Sequence, residues 1–332
     1  MKILLLGSTG YLGGNIAYKL IEEGHDVICV VRRTSDTSRL DAIGAYLVSN
    51  EPGELELILK HNHIDWVING VATYKTNDTL YGDMLDSNII FPLGILNLAV
   101  KYHVKNYITI GTSLPDEFNL YSFTKCKFAD FGRYLTKQDN INFADLKLEM
   151  FYGGLFEPEN RLLSSCKEKM LRNEDVDLTE GHQKRDLIRV EDVVGIISKI
   201  IETDYLNGYK KLPIGSGEQH SIREIMQDIR RTTGSSSRLN FGAVPSRIGE
   251  PETIADTTWY KDIDYKLKYN FIQGLEDWCM NSTQESAEFN LKLKNSRGGY
   301  SLNQYIHRVR LEKHIVPLTI QAYVPQIERC AA

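Results

Sequence analysis

The chain has 332 residues, 42% of them hydrophobic and 25% charged, with a net charge of −5. That balance excludes an intrinsically disordered chain and offers no basic surplus for nucleic acid, and nothing approaches the ~18 uninterrupted apolar residues of a membrane span. The five cysteines (Cys29, Cys126, Cys166, Cys279, Cys330) are odd in number and lack CxxC spacing, which argues against a disulfide framework or zinc site and fits a reducing cytoplasm.

In chain order, Lys2–Leu6 is an apolar run that enters Gly7 without a small-residue cleavage site, so a buried strand is expected rather than a signal peptide. Tyr11–Glu23 has helical spacing through Leu12, Ile16, Leu20 and Ile21, with Gly24 as its stop. Asp26–Val31, Ala45–Val48 and Trp66–Ile68 read as the next strands, followed by a long helix from about Met84 to Lys101. Then come a strand at Asn106–Ile110, a helix at Leu120–Leu135 and a strand at Phe143–Leu148. Such alternation requires crossover connections and predicts an α/β fold, a Rossmann-type doubly wound parallel sheet. After residue 150 turn-rich pieces (Gly153–Gly154, Glu157–Asn160, Gly215–Gly217) predict a smaller lobe at the sheet's carboxyl edge, where open α/β folds bind ligands. At ~150 residues per domain the length suggests about two units. The expected division is a dinucleotide-binding domain over 1–150, an interleaved substrate lobe over 151–278 and an extension over 279–332 with no assignable role.

Three clusters carry chemistry. Gly7-Ser8-Thr9-Gly10-Tyr11-Leu12-Gly13 is a GxxGxxG turn between strand and helix. Its glycines let backbone N–H groups approach a pyrophosphate at a helix N-terminus, so Gly7, Thr9, Gly10, Tyr11, Leu12 and Gly13 are candidate cofactor contacts. The second strand ends Val30-Val31-Arg32-Arg33. No acidic residue stands there for a ribose diol, and two guanidiniums could hold a 2′-phosphate, so NADP(H) is favoured; a solvated basic loop is the alternative. Tyr121 and Lys125 lie four apart on one helix face, where the ammonium is expected to lower the Tyr121 pKa. Thr112 and Ser113, at the end of the preceding strand, supply a hydroxyl for the same substrate oxygen.

With these motifs in place, the sequence resembles the extended short-chain dehydrogenase/reductase family of nucleotide-sugar epimerases, dehydratases and reductases, over about residues 1–278. Asn88 matches a structurally important family asparagine near the cofactor, and Gln183–Val193 is similar to the family's QxRDFIxVxDV segment. The resemblance implies diphosphate contacts at Arg185 and at Arg247, within Arg247-Ile248-Gly249-Glu250; surface arginines are the alternative. Gly111–Pro115, Leu146–Gly153, Gly215–Gly217 and Ser221–Glu224 are most similar to synthases that reduce CDP-linked 3,6-dideoxy-4-ketohexoses, of the paratose and abequose type. It implies a catalytic Tyr121, a Lys125 that also binds the nicotinamide ribose, and Thr112 on the reacting oxygen, with Ser113 as the alternative hydroxyl.

Weaker candidates remain. Val71 and Ala72 end the fourth strand, where such folds lay backbone against the cofactor. Tyr74 and Lys75 follow as candidate substrate contacts or plain loop residues. Glu149 either reads a sugar hydroxyl or is a satisfied carboxylate. The eight histidines show no HxxxH spacing, so no metal site is expected. Apolar stripes on the helices at 84–101 and 120–135 (Leu85, Ile89, Ile90, Leu93, Leu96) match those that pair across a homodimer in the resembled family; burial on the sheet alone is the alternative.

The residues also separate activities. Dehydratases of the family carry Asp-Glu after the catalytic threonine, whereas this chain has Ser113-Leu114, and leucine does no acid–base work. Three readings stay open: an NADPH-dependent 4-ketoreductase on a nucleotide-diphosphate sugar, which the arginine pair favours; a 4-epimerase with retained NAD; and a non-catalytic dinucleotide sensor, which has no need of Tyr121, Lys125 and Thr112 together.

Overall fold

Ile3, Leu4, Leu5 and Leu6 are all completely buried, a run that suits a strand covered on both faces. In the computed structural model, which describes residues 1–74, 79–246 and 249–280, this run forms β1 (Lys2–Leu6). It is followed by α1 (Tyr11–Glu22), β2 (Asp26–Val31), α2 (Ser38–Ala42), β3 (Tyr46–Ser49), α3 (Pro52–His61) and β4 (Trp66–Asn69). A continuous helix then comprises α4 (Tyr81–Leu85), a π-turn over Asp86–Ile90, and α5 (Phe91–Lys101). Next come β5 (Asn106–Ile110), α6 (Leu120–Leu135), β6 (Asn142–Leu148), β7 (Met150–Tyr152), α7 (Leu162–Leu171), β8 (Val176–Leu178) and β9 (Lys184–Arg189). The order closes with α8 (Val190–Glu202), β10 (Tyr209–Ile214), β11 (Gln219–Ser221), α9 (Ile222–Thr232), β12 (Leu239–Phe241) and helical residues 271–280.

The expected strands form within a residue or two of their predicted ends. The sequence reading does not assign α2 and α3, which bury only Leu40 in one case and Leu55 and Leu59 in the other, too few to mark a periodic stripe. Seven strands pair in the order β10-β6-β5-β4-β1-β2-β3, all parallel, so the fold is the Rossmann-type sheet expected. The order reverses between β1 and β4, and ligands in such sheets bind beyond the strand ends at that reversal. β10 joins the sheet from beyond residue 150, so sheet and lobe interleave.

The lobe is built on β11-β9-β7 and the pair β12-β8, over a core that includes Tyr152, Met170, Met226 and Trp278. Ser221-Ile222-Arg223-Glu224 is a capping box: Ser221 Oγ accepts from Glu224 N at 3.1 Å while the Glu224 carboxylate accepts from Ser221 N at 2.8 Å. Asp186, fully buried, accepts from the backbone N–H groups of Ser216, Gly217 and Ala255 at 2.6, 3.0 and 3.0 Å, and so fixes the 215–217 turn.

By length and composition alone the helix Tyr81–Lys101 could cross a membrane, but a third of its most apolar window is buried in the fold. It buries Met84, Ile95, Leu96 and Ala99 and leaves Leu85 and Ile90 exposed. Of the expected extension over 279–332, residues 281–332 lie outside the described residues.

Candidate active site

The glycine turn spans the end of β1 and the start of α1. Gly7 adopts a φ of 76°, and a Cβ there would stand 2.8 Å from the Gly70 carbonyl at the end of β4. At Gly13 a Cβ would sit 2.1 Å from Gly7 O, so α1 closes directly onto the turn. Gly10 caps α1 without any side-chain hydrogen bond, leaving first-turn N–H groups to face a ligand. This backbone cradle at the reversal point suits a dinucleotide pyrophosphate. Around it Thr9 is exposed and Leu12 is buried. The Tyr11 hydroxyl donates to Gly153 O at 2.6 Å, tying the turn to the lobe. The Arg161 guanidinium lies 5.2 Å above the Tyr11 ring and 5.0 Å above Phe151, a cation that sequence reasoning missed because only the fold brings the two rings together.

At the end of β2 the two expected arginines differ. Both are exposed, but Arg33 Nε lies 3.5 Å from Glu51 Oε1, whereas Arg32 makes no ion pair among the described residues. Arg32 is therefore the freer cation for a 2′-phosphate.

Tyr121 sits in the first turn of α6, set by a reciprocal cap in which Asn119 Oδ1 accepts from Ser122 N at 2.8 Å and Ser122 Oγ accepts from Asn119 N at 3.2 Å. One turn on, Lys125 is buried and donates to Val71 O at 3.0 Å. Burial lowers its pKa to about 8, opposed by the nearby Asp145 carboxylate. Asp145 is buried as well, with Oδ1 lacking a hydrogen-bond partner, and burial raises it to about 6.

The expected lowering of the Tyr121 pKa is corrected by the structure. Burial raises Tyr121 well above the ordinary phenol value, Tyr74 adds to the rise, and the cation acting in the opposite direction is Arg161. The desolvation of a half-buried phenol against Tyr74 outweighs the neighbouring charges. The Tyr74 ring stacks on Tyr121 with centroids 4.3 Å apart, and its hydroxyl donates to Tyr121 Oη at 3.3 Å.

Asn88 lies in the π-turn and is buried. Its Oδ1 accepts from Thr73 N at 2.8 Å, and its Nδ2 donates to Thr73 O and to Thr124 Oγ1, both at 3.0 Å. The amide holds the loop after β4, with Val71 and exposed Ala72, against α6; π-turns commonly mark functional sites.

On the substrate side, buried Thr112 accepts from Leu114 N at 3.3 Å. Thr253, which sequence reasoning missed, brings two expected residues together: its hydroxyl lies 2.7 Å from Glu149 Oε2 and 3.2 Å from Ser113 Oγ. Burial raises the Glu149 pKa, while hydrogen bonds from Thr253 and Ser113 oppose the rise. Arg185 is engaged with the protein itself, donating to Glu250 Oε2 at 2.5 Å, Lys184 O at 2.7 Å and Pro251 O at 3.3 Å. A diphosphate there would have to displace Glu250. Arg247 and Lys75 lie outside the described residues. No cluster of His, Cys, Asp and Glu suited to a metal occurs among the described residues, and their cysteines are all free.

A glycine cradle at the sheet reversal with a Tyr/Lys pair beside it defines a class of dinucleotide-dependent proteins. The chain belongs to the NAD dependent epimerase/dehydratase family, whose profile matches residues 3–215. Among curated proteins it is similar to CDP-abequose synthase of Salmonella muenchen, 25% identical over 284 residues that cover 83% of this chain and 96% of that one. UDP-glucose 4-epimerase of Lactobacillus helveticus is 24% identical over 310 residues, covering 78% of this chain and 89% of its own. The crystal structure of UDP-glucose 4-epimerase from Thermotoga maritima, bound to UDP-glucose, shares the fold with a TM-score of 0.75 and 21% identity, over 88% of this chain and all of that one.

Proposed function

We propose that the protein is an NADPH-dependent reductase of the C4 carbonyl of a nucleotide-activated, CDP-linked 6-deoxy or 3,6-dideoxy hexose, serving the synthesis of surface-polysaccharide sugars. The observation that carries the choice of reduction is the end of β2, where Arg32, which makes no ion pair among the described residues, stands in place of a ribose-binding carboxylate. A 2′-phosphorylated cofactor of that kind arrives reduced and leaves oxidised. Similarity to the CDP-abequose synthase supports the substrate class, and Leu114 speaks against dehydration.

When bound, the reduced nicotinamide supplies the hydride. Gly7, Gly10 and Gly13 hold its pyrophosphate, Arg32 holds the 2′-phosphate with Arg33 in support, and Lys125 binds the ribose beside Val71 and Ala72. Tyr121, kept protonated by burial, gives its proton to the alkoxide oxygen, which Thr112 steadies. Glu149, with Ser113 and Thr253, reads sugar hydroxyls; Tyr74 borders the same space, and Arg185 and Arg247 take the diphosphate. The reading includes a homodimer in a reducing cytoplasm, supported by exposed apolar side chains on the two long helices (Leu85, Ile90, Phe123, Phe131). Light scattering at the mass of one 37.9 kDa chain would remove the dimer.

The test is NADPH oxidation against CDP-, dTDP-, UDP- and GDP-linked 4-keto-6-deoxy and 4-keto-3,6-dideoxy sugars. Turnover of none contradicts the proposal. The epimerase reading draws on the UDP-glucose 4-epimerase likeness, and stoichiometric NAD in the purified protein would favour it.

A further inference from the structure

A buried carboxylate oxygen without a hydrogen bond destabilises a fold, so its presence needs a reason. Asp145, midway along β6, is 3% exposed, and its Oδ1 has no hydrogen-bond partner. Gly111, just past β5, makes room for it: a Cβ there would stand 2.0 Å from Asp145 Oδ1. Tyr107 pairs with Phe143 and Thr109 with Asp145, so all four side chains share one face of the sheet. On that face α6 seats Phe128 against Tyr107 and Phe143, with ring centroids 6.1 and 5.9 Å away. As the crossover between parallel β5 and β6, α6 runs against them, and Lys125, three residues before Phe128, comes over Thr109 and Asp145. Lys125 is buried and donates to Val71 O at 3.0 Å, which leaves its other N–H groups for a ligand. The groups that act on its charge are Asp145 and the Cys126 thiol, and burial pushes Cys126 up to about 11, so the thiol is neutral. Asp145 also faces Lys147 on β6, Lys211 and Tyr209 on β10 and Asp116 after β5. Of these, Lys147 Nζ donates to Cys126 Sγ at 3.3 Å, and Lys211 and Asp116 are exposed.

We propose that Asp145 is a positioning residue, the buried counter-charge that keeps the Lys125 ammonium charged on the cofactor ribose. This rests on the reductase reading, in which Lys125 is the ribose contact. In a low-dielectric interior a lone ammonium gives up its proton readily, and a nearby anion opposes that loss. Burial brings Lys125 down to about 8 against this opposition, so removing the anion lowers it further. Asp145, raised to about 6 by burial, is ionised above that pH, so the two groups are charged together between about pH 6 and 8.

Asp145→Asn keeps the shape beside Gly111 and removes the charge. The alkaline fall of kcat/KM in NADPH oxidation should move to lower pH by about one pH unit, a loss of about fivefold at pH 8 with little change at pH 6. An equal loss at every pH, with the fall unmoved, would overturn the proposal, since Asp145 would then serve the core alone. So would a profile identical to the wild type. The reciprocal measurement needs neither substrate nor that variant: carbon-13 NMR of the aspartate carboxyls, assigned through the backbone. Coupled charges shift each other equally, so Lys125→Met should raise the pH at which the Asp145 carboxyl titrates by about one pH unit. An unmoved carboxyl titration overturns the pairing. If the wild-type protein reduces no sugar nucleotide, the reductase reading fails by itself, and the carboxyl titration decides whether the two charges are coupled. It decides likewise if Asp145→Asn does not fold.

Discussion

The two walls of the candidate site are made by different means. The cofactor wall is backbone: Gly7, Gly13 and Gly70 approach so closely that a single methyl at the first two would collide with main-chain atoms. The substrate wall is made of side chains from distant segments, with Thr253 reaching Glu149 and Ser113, Arg185 meeting Glu250, and Tyr74 lying on Tyr121. A wall of packed backbone fails all at once. A wall of hydrogen-bonded side chains can be altered one group at a time, which lets one cofactor site serve different sugars.

The largest effect is expected from Gly13→Ala. Its Cβ would stand 2.1 Å from Gly7 O, an atom that accepts a hydrogen bond from Gly10 N at 3.0 Å. NADPH binding, followed by fluorescence titration, should be lost, and stability should fall by ~1–3 kcal/mol as for other overpacked sites. Gly53→Ala, with no atom within 4 Å of the added methyl, is the control and should change neither. Wild-type binding by Gly13→Ala would break the contrast between the walls.

Next in size is the pH dependence set by Lys125. A lysine is charged below its pKa and neutral above it, and burial brings this one to about 8. If the ammonium holds the ribose, kcat/KM should be level below pH 8 and fall up to about tenfold per pH unit above it. Lys125→Arg, whose guanidinium stays charged, should remove the alkaline fall at a lower plateau. A profile level through pH 9.5 in the wild type would show that the charge is not needed.

The smallest effect separates the arginines. Arg32→Ser should reduce the preference for NADPH over NADH by about tenfold, the scale of one charge-assisted hydrogen bond. Arg33→Ser should cost less, because Arg33 is already paired with Glu51. Equal losses in the ratio of the two kcat/KM values would mean that the ion pair opens when cofactor binds.

The cofactor wall was legible in the sequence because it is local. A buried run, three spaced glycines and an amphipathic stretch occupy little more than twenty residues, and the periods that mark them are those of strand and helix. Tyr121 and Lys125 were legible for the same reason. The substrate wall was not, since Thr253 lies 140 residues from Ser113 and 104 from Glu149. A loop threonine carries no pattern that announces such partners. The roles of Asn88 and Asp186 show a related limit: Asn88 spends its amide on Thr73 N, Thr73 O and Thr124 Oγ1, and Asp186 accepts from backbone N–H groups of the 215–217 turn and Ala255, so each holds the fold. The direction of the Tyr121 shift depended on Tyr74, forty-seven residues away, and on burial that spacing alone does not report.

The most direct measurement is NADPH oxidation with a CDP-linked 4-keto-3,6-dideoxyhexose, run beside the same sugar on the other nucleotides and beside Tyr121→Phe. The expected result is turnover that prefers the CDP sugar and NADPH over NADH, reduced about 10²–10⁴-fold in Tyr121→Phe. No oxidation with any 4-keto sugar, together with bound NAD and interconversion of 4-hydroxy epimers, would contradict it.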